Sequence, residues 1–200
     1  MKRKISLIMN ILIVILELIG FVLLFKNQGG IAFQYYTEDS NILLFITSLI
    51  FTIYLFTNKK IPRWLSMLKY ISTIGVTLTF LVVIFILAPM MNFNYSKMLL
   101  DGALLYQHLL CPVLSIITFL FFDELGSYSK KDNITSLSLT VLYSIILVSL
   151  NILELVKGPY PFLMVRNQSV LMSMIWLIVL GIMVYGIAFI LRKIYTKNNS

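Results

Sequence analysis

The sequence has few of the residues on which most enzymes and soluble domains depend. Only 12% of its 200 residues are charged, and it contains one cysteine and one histidine. The single cysteine, Cys111, excludes an internal disulfide and any cysteine metal cluster. Because His or Cys pairs at ligand spacing are missing, the sequence predicts no zinc or haem site, and indeed no metal and no cofactor.

Apolar residues, in contrast, make up 60% of the chain, and its mean hydropathy is +0.94. Soluble domains are about half apolar and a quarter charged, so this composition is typical of a membrane protein. Six apolar stretches each have about the 20 residues that a helix needs to cross a bilayer. We therefore predict an all-α, polytopic membrane protein in which residues 1–200 form one six-helix bundle. The predicted spans are Ile5–Phe25, Tyr35–Phe56, Leu65–Ala88, Met98–Phe122, Ser136–Leu155 and Ser169–Leu191.

Basic residues outnumber acidic ones by 16 to 8, which gives a net charge of +8. If the N-terminus is inside, only four of the sixteen fall in outer segments, and the remaining twelve are inside. This positive-inside bias predicts that both termini are cytoplasmic and that segment 123–134 is a solvated cytoplasmic connection. Since these charges flank spans and form no basic face, we expect no nucleic-acid partner. The four outer residues are Lys26, Lys97, Lys157 and Arg166.

The only histidine, His108, lies inside the fourth predicted span. Ionisable groups inside a span are costly, so they usually face the bundle interior and carry function, and histidine is the side chain best suited to moving a proton near neutral pH. At 1.5 Å per residue, His108 and Glu17 both lie about 12–15 Å below the outer ends of their helices. Asn41 and Asn151 also fall in the outer half. These positions predict a buried polar pocket that opens toward the outer leaflet.

A hydroxyl in such a pocket becomes a nucleophile when a base within hydrogen-bond reach removes its proton. By depth, Thr37 and Ser40 are the hydroxyls nearest to His108, the one candidate base of the usual kind. The alternative is a structural histidine that bonds a backbone carbonyl, in a bundle whose hydroxyls only join helices. Spacing alone leaves both interpretations open.

Other polar residues are candidates for supporting roles. Asn41 or Ser40 is placed to donate to a developing oxyanion. Glu17 or Asp101 is a candidate to hold the imidazole in one tautomer, as the acid of a triad does. The alternative for Asp101 is a position in water at a helix end. The outer loop 158–162, Gly-Pro-Tyr-Pro-Phe, either caps the pocket or anchors the protein at the interface.

Three short motifs resemble those of one family of six-helix membrane proteins. The segment Phe33–Leu43 is similar to a Tyr-x-Thr-x-x-(Ser)-Asn motif that opens the second span, and His108–Leu114 is similar to a His-x-x-x-Pro motif in the fourth. Tyr160–Leu163 reads Tyr-Pro-Phe-Leu, as in the last outer loop of prokaryotic members. The family is that of the androgen-induced gene protein and the androgen-dependent TFPI-regulating protein, with bacterial relatives. The likeness extends over nearly the whole chain, in order.

The resemblance implies an intramembrane threonine hydrolase that cleaves fatty-acid esters of hydroxy fatty acids. Matched by motif, Thr37 would be the nucleophile and His108 the base. The chain departs from the family pattern at several positions, which leaves the substrate open. These positions are Asp39, Ser40, Thr118 and Met164.

The resemblance and the pocket together predict a lipid-ester hydrolase whose partners are membrane lipids. The oligomeric state is left open. The alternatives are a small transporter or permease, with Glu17 and His108 as relay groups, and a non-catalytic lipid-binding protein. High Ile, Leu, Lys and Asn usage predicts a bacterial plasma-membrane location.

Overall fold

The computed structural model describes residues 1–199 and is all-helical over that range, with no strand among the described residues. Six long helices and one short helix are joined by turns, some of them 3-10 turns. A turn at residues 136–137 interrupts the sixth helix near its start. The helices are α1 Lys2–Gln28, α2 Tyr36–Phe56, α3 Arg63–Met90, α4 Tyr95–Leu100, α5 Leu105–Phe121, α6 Lys130–Ile152 and α7 Val170–Asn199.

Five helices, α1, α2, α3, α6 and α7, are long and apolar enough to cross a membrane. The predicted fourth span, Met98–Phe122, is not one helix, because the chain divides it into α4 and α5. Gly102, between them, has φ +53°, a left-handed conformation that glycine adopts without strain and that ends a helix. At 1.5 Å per residue, α5 extends about 26 Å, somewhat less than the roughly 30 Å of a hydrocarbon core.

Helix α3 lies at the centre of the bundle. Around it, α1 contacts α2 and α5, α7 contacts α5 and α6, and α6 contacts α2, which closes a ring. Of the most apolar 18-residue window of each spanning helix, 61% is buried in α3, against 28–39% in the others. Gly75 of α3 permits the closest approach, since a Cβ there would lie 3.1 Å from the Cβ of Ser40 on α2.

The outward faces of the ring helices are apolar. Large side chains on α1, α6 and α7 are half or more exposed, as expected where lipid takes the place of water. The five long helices and this apolar outer surface fit a membrane protein. Examples are Ile8 and Val22 on α1, Leu142 and Ile145 on α6, and Ile178 and Ile182 on α7.

The two ends of the bundle differ, and we name them by the termini. The proximal end carries both termini, and the distal end carries the connections α1–α2, α3–α5 and α6–α7. Aromatic rings fill the proximal core: Tyr70 lies 4.6 Å from Tyr128 and 5.6 Å from Phe119 between ring centroids, and Phe119 lies 5.1 Å from Tyr195. This stack ties α3, α5, α7 and the connection after α5 together.

The predicted solvated connection 123–134 is wrong at its first residue, because Asp123 is only 1% exposed. Its carboxyl faces Lys69 of α3, which is 0% exposed, with Nζ and Oδ2 3.8 Å apart. Lys69 donates to Asn10 Oδ1 at 2.7 Å and to Ser48 Oγ at 3.1 Å. Ser6 donates to Asp123 Oδ1 at 2.5 Å. We call these five residues, Ser6, Asn10, Ser48, Lys69 and Asp123, the proximal ion cluster.

Two π-helical segments bend the helices that line the distal half. They are Val83–Leu87 in α3 and Leu105–Leu110 in α5, and each ends two residues before a proline, Pro89 or Pro112. Proline lacks the N–H that the carbonyl four residues earlier needs, and a wider turn accommodates the missing bond. The second of these segments contains His108.

Candidate functional site

Thr37 is the second residue of α2, at the distal end of the bundle. Threonine hydroxyls deeper in the bundle donate to the carbonyl four residues earlier, as Thr77 does to Thr73 at 2.6 Å and Thr118 to Leu114 at 2.6 Å. For Thr37 that carbonyl would belong to a residue before the helix begins. Its hydroxyl is therefore turned toward other side chains, although the residue is only 6% exposed.

The nearest base is His108, also 6% exposed, whose Nε2 lies 3.5 Å from Thr37 Oγ1. The other ring nitrogen, Nδ1, lies 2.8 Å from the carbonyl oxygen of Met98. A carbonyl only accepts, so Nδ1 carries the proton and Nε2 is left with its lone pair toward the hydroxyl. The separation is at the long end of hydrogen-bond distances, as is common for such pairs without a substrate.

Tyr160 completes the site from the α6–α7 connection. Its phenol oxygen lies 3.4 Å from Thr37 Oγ1 and against the first backbone amides of α2, those of Tyr36 and Thr37. Burial raises the pKa of the Tyr160 phenol above its ordinary value, so the group stays a protonated donor. We call Thr37, His108 and Tyr160 the Thr37 site.

The connection holds Tyr160 in place through tight packing. A Cβ on Gly158 would lie 2.7 Å from the carbonyl oxygen of Leu163, so only glycine fits there. The Tyr160 ring stacks on Phe162 at 5.3 Å and meets Tyr35 edge-on at 5.8 Å. Of the two interpretations of this loop, capping and anchoring, the contacts favour capping.

The predicted oxyanion donors bind a backbone carbonyl in this structure. Ser40 Oγ donates to the Thr37 carbonyl at 2.9 Å, and Asn41 Nδ2 donates to the same carbonyl at 2.7 Å. Both side chains therefore fix the first turn of α2 rather than point at the Thr37 hydroxyl. Sequence reasoning missed Tyr160 as the group beside that hydroxyl, and its only signal was the Tyr-Pro-Phe-Leu motif.

The remaining predicted residues lie farther from the hydroxyl. Asp101 is exposed between α4 and α5, and the Met98 carbonyl holds the imidazole instead of a carboxylate. Asn151 lies near the end of α6, where Nδ2 donates to the Val156 carbonyl at 3.0 Å and shapes the connection. Glu17 is fully buried on α1, where its carboxyl lies beside the Cys111 thiol of α5. No described hydrogen bond joins Glu17 to the His108 imidazole.

A narrow cavity opens on the side of Thr37 opposite α5. Its volume is about 30 Å³, and it lies between α2, α3, α6, α7 and the capping loop. Its walls are mainly apolar, with Leu78, Val82, Leu87, Phe162 and Leu180 among the lining residues. A groove on the surface between α2 and α6 shares Tyr143 with this cavity. The Thr37 hydroxyl therefore stands between a basic nitrogen and an apolar chamber.

Among residues 1–199, no group of three or more His, Cys, Asp or Glu side chains is placed to hold a metal ion.

Fold and site together define an all-helical protein with five candidate membrane-spanning helices and a buried Thr-His-Tyr group at the distal end of the bundle. Comparison of the chain with protein-family models, with curated proteins and with solved structures gives no match.

Proposed function

We propose that the protein is an intramembrane hydrolase of lipid esters with Thr37 as nucleophile and His108 as general base. One observation carries the proposal: the Thr37 hydroxyl lies 3.5 Å from an imidazole nitrogen, 3.4 Å from a phenol and at the wall of an apolar cavity. A hydroxyl that serves only to join helices needs neither a base held in one tautomer nor a free volume beside it.

The chemistry follows from the hydrogen-bond pattern. His108 Nε2 removes the Thr37 proton while Oγ1 attacks the ester carbonyl carbon, and a tetrahedral oxyanion forms. The Tyr160 phenol and the first amides of α2 stabilise that negative charge. The bond from carbon to the alcohol oxygen then breaks, and the alcohol takes the proton from Nε2. The product on the enzyme is an acyl ester of Thr37.

The cavity accounts for the substrate class. Its apolar walls suit an acyl chain, and the groove between α2 and α6 offers access from the bilayer plane. We propose that α5 is the sixth membrane crossing, that both termini are cytoplasmic by the positive-inside bias, and that the site faces the outer leaflet of a bacterial plasma membrane. Membrane lipids or a lipid ester are then the partners.

The resemblance to the family of the androgen-induced gene protein supports the same assignment. Its Thr and His motifs fall on the two residues that the structure brings together, and its Tyr-Pro-Phe-Leu motif falls on the capping loop. Membership of that family's bacterial branch is part of the proposal, as is a substrate of the type of a fatty-acid ester of a hydroxy fatty acid.

Hydrolysis by the purified protein in liposomes tests the proposal. A fatty-acid ester of a hydroxy fatty acid is the substrate, and free fatty acid is measured for wild type, Thr37→Ala and the control Thr77→Val. Thr77 is a buried threonine whose hydroxyl only bonds its own helix. We expect hydrolysis by wild type and Thr77→Val and its loss in Thr37→Ala. Equal rates for Thr37→Ala and wild type would refute the assignment.

A transporter or permease is the main alternative, with non-catalytic lipid binding as another. A permease needs a path through both halves of the bundle, whereas the aromatic stack and the proximal ion cluster fill the proximal half. In a non-catalytic lipid-binding protein, the bond from His108 Nδ1 to the Met98 carbonyl would serve the fold alone, and no ester would be cleaved. Flux into proteoliposomes without ester cleavage would favour the permease.

A further inference from the structure

The interface of α1, α2 and α5 contains buried polar atoms that the Thr37 site does not use. Among the described residues, no hydrogen bond reaches Oε2 of Glu38, Oδ1 of Asn41, or Oε1 and Nε2 of Gln107, and the carboxyl of Glu17 has only the weak thiol donor of Cys111 beside it. Glu17, Asn41 and Gln107 are 0% exposed and Glu38 is 4% exposed. We call these four residues the distal polar cluster.

Contacts show that the four residues are neighbours across the three helices. Asn41 Nδ2 donates to the Gln107 carbonyl at 3.4 Å, which joins α2 to α5. The side chain of Gln107 packs on α1, since a Cβ at Gly20 would lie 3.4 Å from its Cγ. Gly20 is one turn from Glu17, whose carboxyl lies beside the Cys111 thiol and near enough to Glu38 to interact with it electrostatically.

The cluster extends from the distal end toward the middle of the bundle. Glu38 and Asn41 are the third and sixth residues of α2, so they lie roughly 3 and 8 Å into the helix. Glu17 lies eleven residues before Gln28, the last residue of α1, or about 16 Å from that end. The cluster therefore runs alongside the Thr37 site. Glu38 directly follows Thr37 in the chain, and Gln107 directly precedes His108.

A buried polar group without a partner is destabilising, so several in one place indicate a ligand that pairs with them. The atoms include a donor, Gln107 Nε2, as well as carboxyl and amide acceptors. Water offers both donors and acceptors and fits such a mixed set, whereas a cation would leave Nε2 without a partner and facing like charge.

We propose that the distal polar cluster binds water and supplies it for hydrolysis of the acylated Thr37. This inference rests on the proposed function. A bilayer and an apolar cavity exclude water from one side of Thr37, so water must reach the ester from the other side. His108 Nε2 removes a proton from that water, and its oxygen bonds to the acyl carbon. The bond to Thr37 Oγ1 then breaks, Oγ1 takes the proton, and fatty acid leaves.

Apolar substitutions inside the cluster test the supply of water. With a p-nitrophenyl long-chain ester, Glu17→Leu and Gln107→Leu are expected to release close to one equivalent of nitrophenol in a burst. Steady turnover should then be at least 10-fold slower than in wild type, with acyl-Thr37 seen by mass spectrometry. Glu17→Gln, which still binds water, should remain within about 3-fold of wild type. Thr118→Val, a buried hydroxyl on α5 bonded only to its own helix, is the matched control.

Radiolytic labelling in H₂¹⁸O detects water in the cluster without any substrate. The reporter is Cys111, whose thiol lies beside Glu17. Rapid ¹⁸O oxidation of Cys111 in wild type, lost in Glu17→Leu and Gln107→Leu, would support the water site even if no ester were cleaved. In that case the proposed function fails and the water site stands. Slow labelling of Cys111 in wild type, turnover unchanged in both Leu variants, or turnover that requires added Na⁺ would each overturn the inference.

Discussion

The two halves of the bundle differ in how completely their most buried ionisable groups are paired. In the proximal half, Lys69 and Asp123 are fully buried and each has partners from two other helices or the connection, although Asp123 Oδ2 has only the cation of Lys69 near it and no described hydrogen bond. In the distal half, Glu17 and Gln107 are equally buried, the side-chain atoms of Gln107 have no described hydrogen bond, and the Glu17 carboxyl has only the weak thiol donor of Cys111. The first arrangement holds helices together; the second retains unused bonding capacity next to the Thr37 site.

This difference indicates how one small bundle separates stability from function. Removing one partner of a buried charge pair is strongly destabilising, because the other charge is then left buried alone. Unpaired polar atoms lower stability from the start, and functional sites are where proteins retain such costs. Variants of the proximal half should therefore change stability, and variants of the distal half should change activity.

The largest expected effect is on activity in the distal half. His108→Ala removes the base, and kcat for ester hydrolysis should fall about 10⁶-fold, as for the base of other hydroxyl nucleophiles. Its melting temperature in detergent should stay within a few degrees of wild type. The comparison would break if His108→Ala unfolded the protein, because the histidine would then be a structural element of the kind found in the proximal half.

Next in size is the loss of stability when the proximal ion cluster is broken. Lys69→Met leaves the Asp123 carboxyl buried without its cation, and we expect a loss of about 3–5 kcal/mol in unfolding free energy. The double variant Lys69→Met with Asp123→Leu should recover most of that loss, since neither charge then remains. Denaturant unfolding in detergent measures both. No recovery in the double variant would show that the cluster acts through packing alone.

A smaller effect is expected at the capping loop. Tyr160→Phe removes one donor to the oxyanion and retains the ring that stacks on Phe162. The expected loss in kcat is about 10²-fold, or about 2.7 kcal/mol, with KM little changed. A rise in KM at constant kcat would mean that Tyr160 only lines the cavity.

The smallest effect is expected for hydroxyls that join helices. Thr73 Oγ1 on α3 and Ser115 Oγ on α5 lie 2.8 Å apart. Ser115→Ala should cost about 0.6 kcal/mol of stability, the average for such bonds inside membranes, and leave ester hydrolysis unchanged. A loss of activity comparable to that of Tyr160→Phe would extend the reactive region beyond the distal half.

Much of the fold could be predicted from the apolar pattern. The second predicted span, Tyr35–Phe56, differs from α2 by one residue, because a change from polar loop to apolar run marks its ends. The fourth span was predicted without its break, although Asp101-Gly102 carries a turn signal inside the apolar run. The helix ends at this position because Gly102 is left-handed, although the flanking residues are apolar.

The site could be predicted only in part, because several of its contacts join residues that are far apart in the sequence. His108 stands out because ionisable residues are rare in spans, whereas only the family motif distinguishes Thr37 from Ser40. The burial of Asp123 depends on Lys69, 54 positions earlier, and no local pattern shows that pairing. The Met98 carbonyl that orients His108 is backbone and leaves no mark in the sequence, which is why Glu17 and Asp101 were the candidates for that role.

Mapping a covalent adduct tests the central claim most directly. A long-chain fluorophosphonate should enter the cavity and phosphonylate the activated hydroxyl. Digestion and mass spectrometry of the folded wild type should place the adduct on Thr37, and both Thr37→Ala and His108→Ala should lose it. An adduct on a different residue, or labelling of Thr37 that persists unchanged in His108→Ala, would contradict the account.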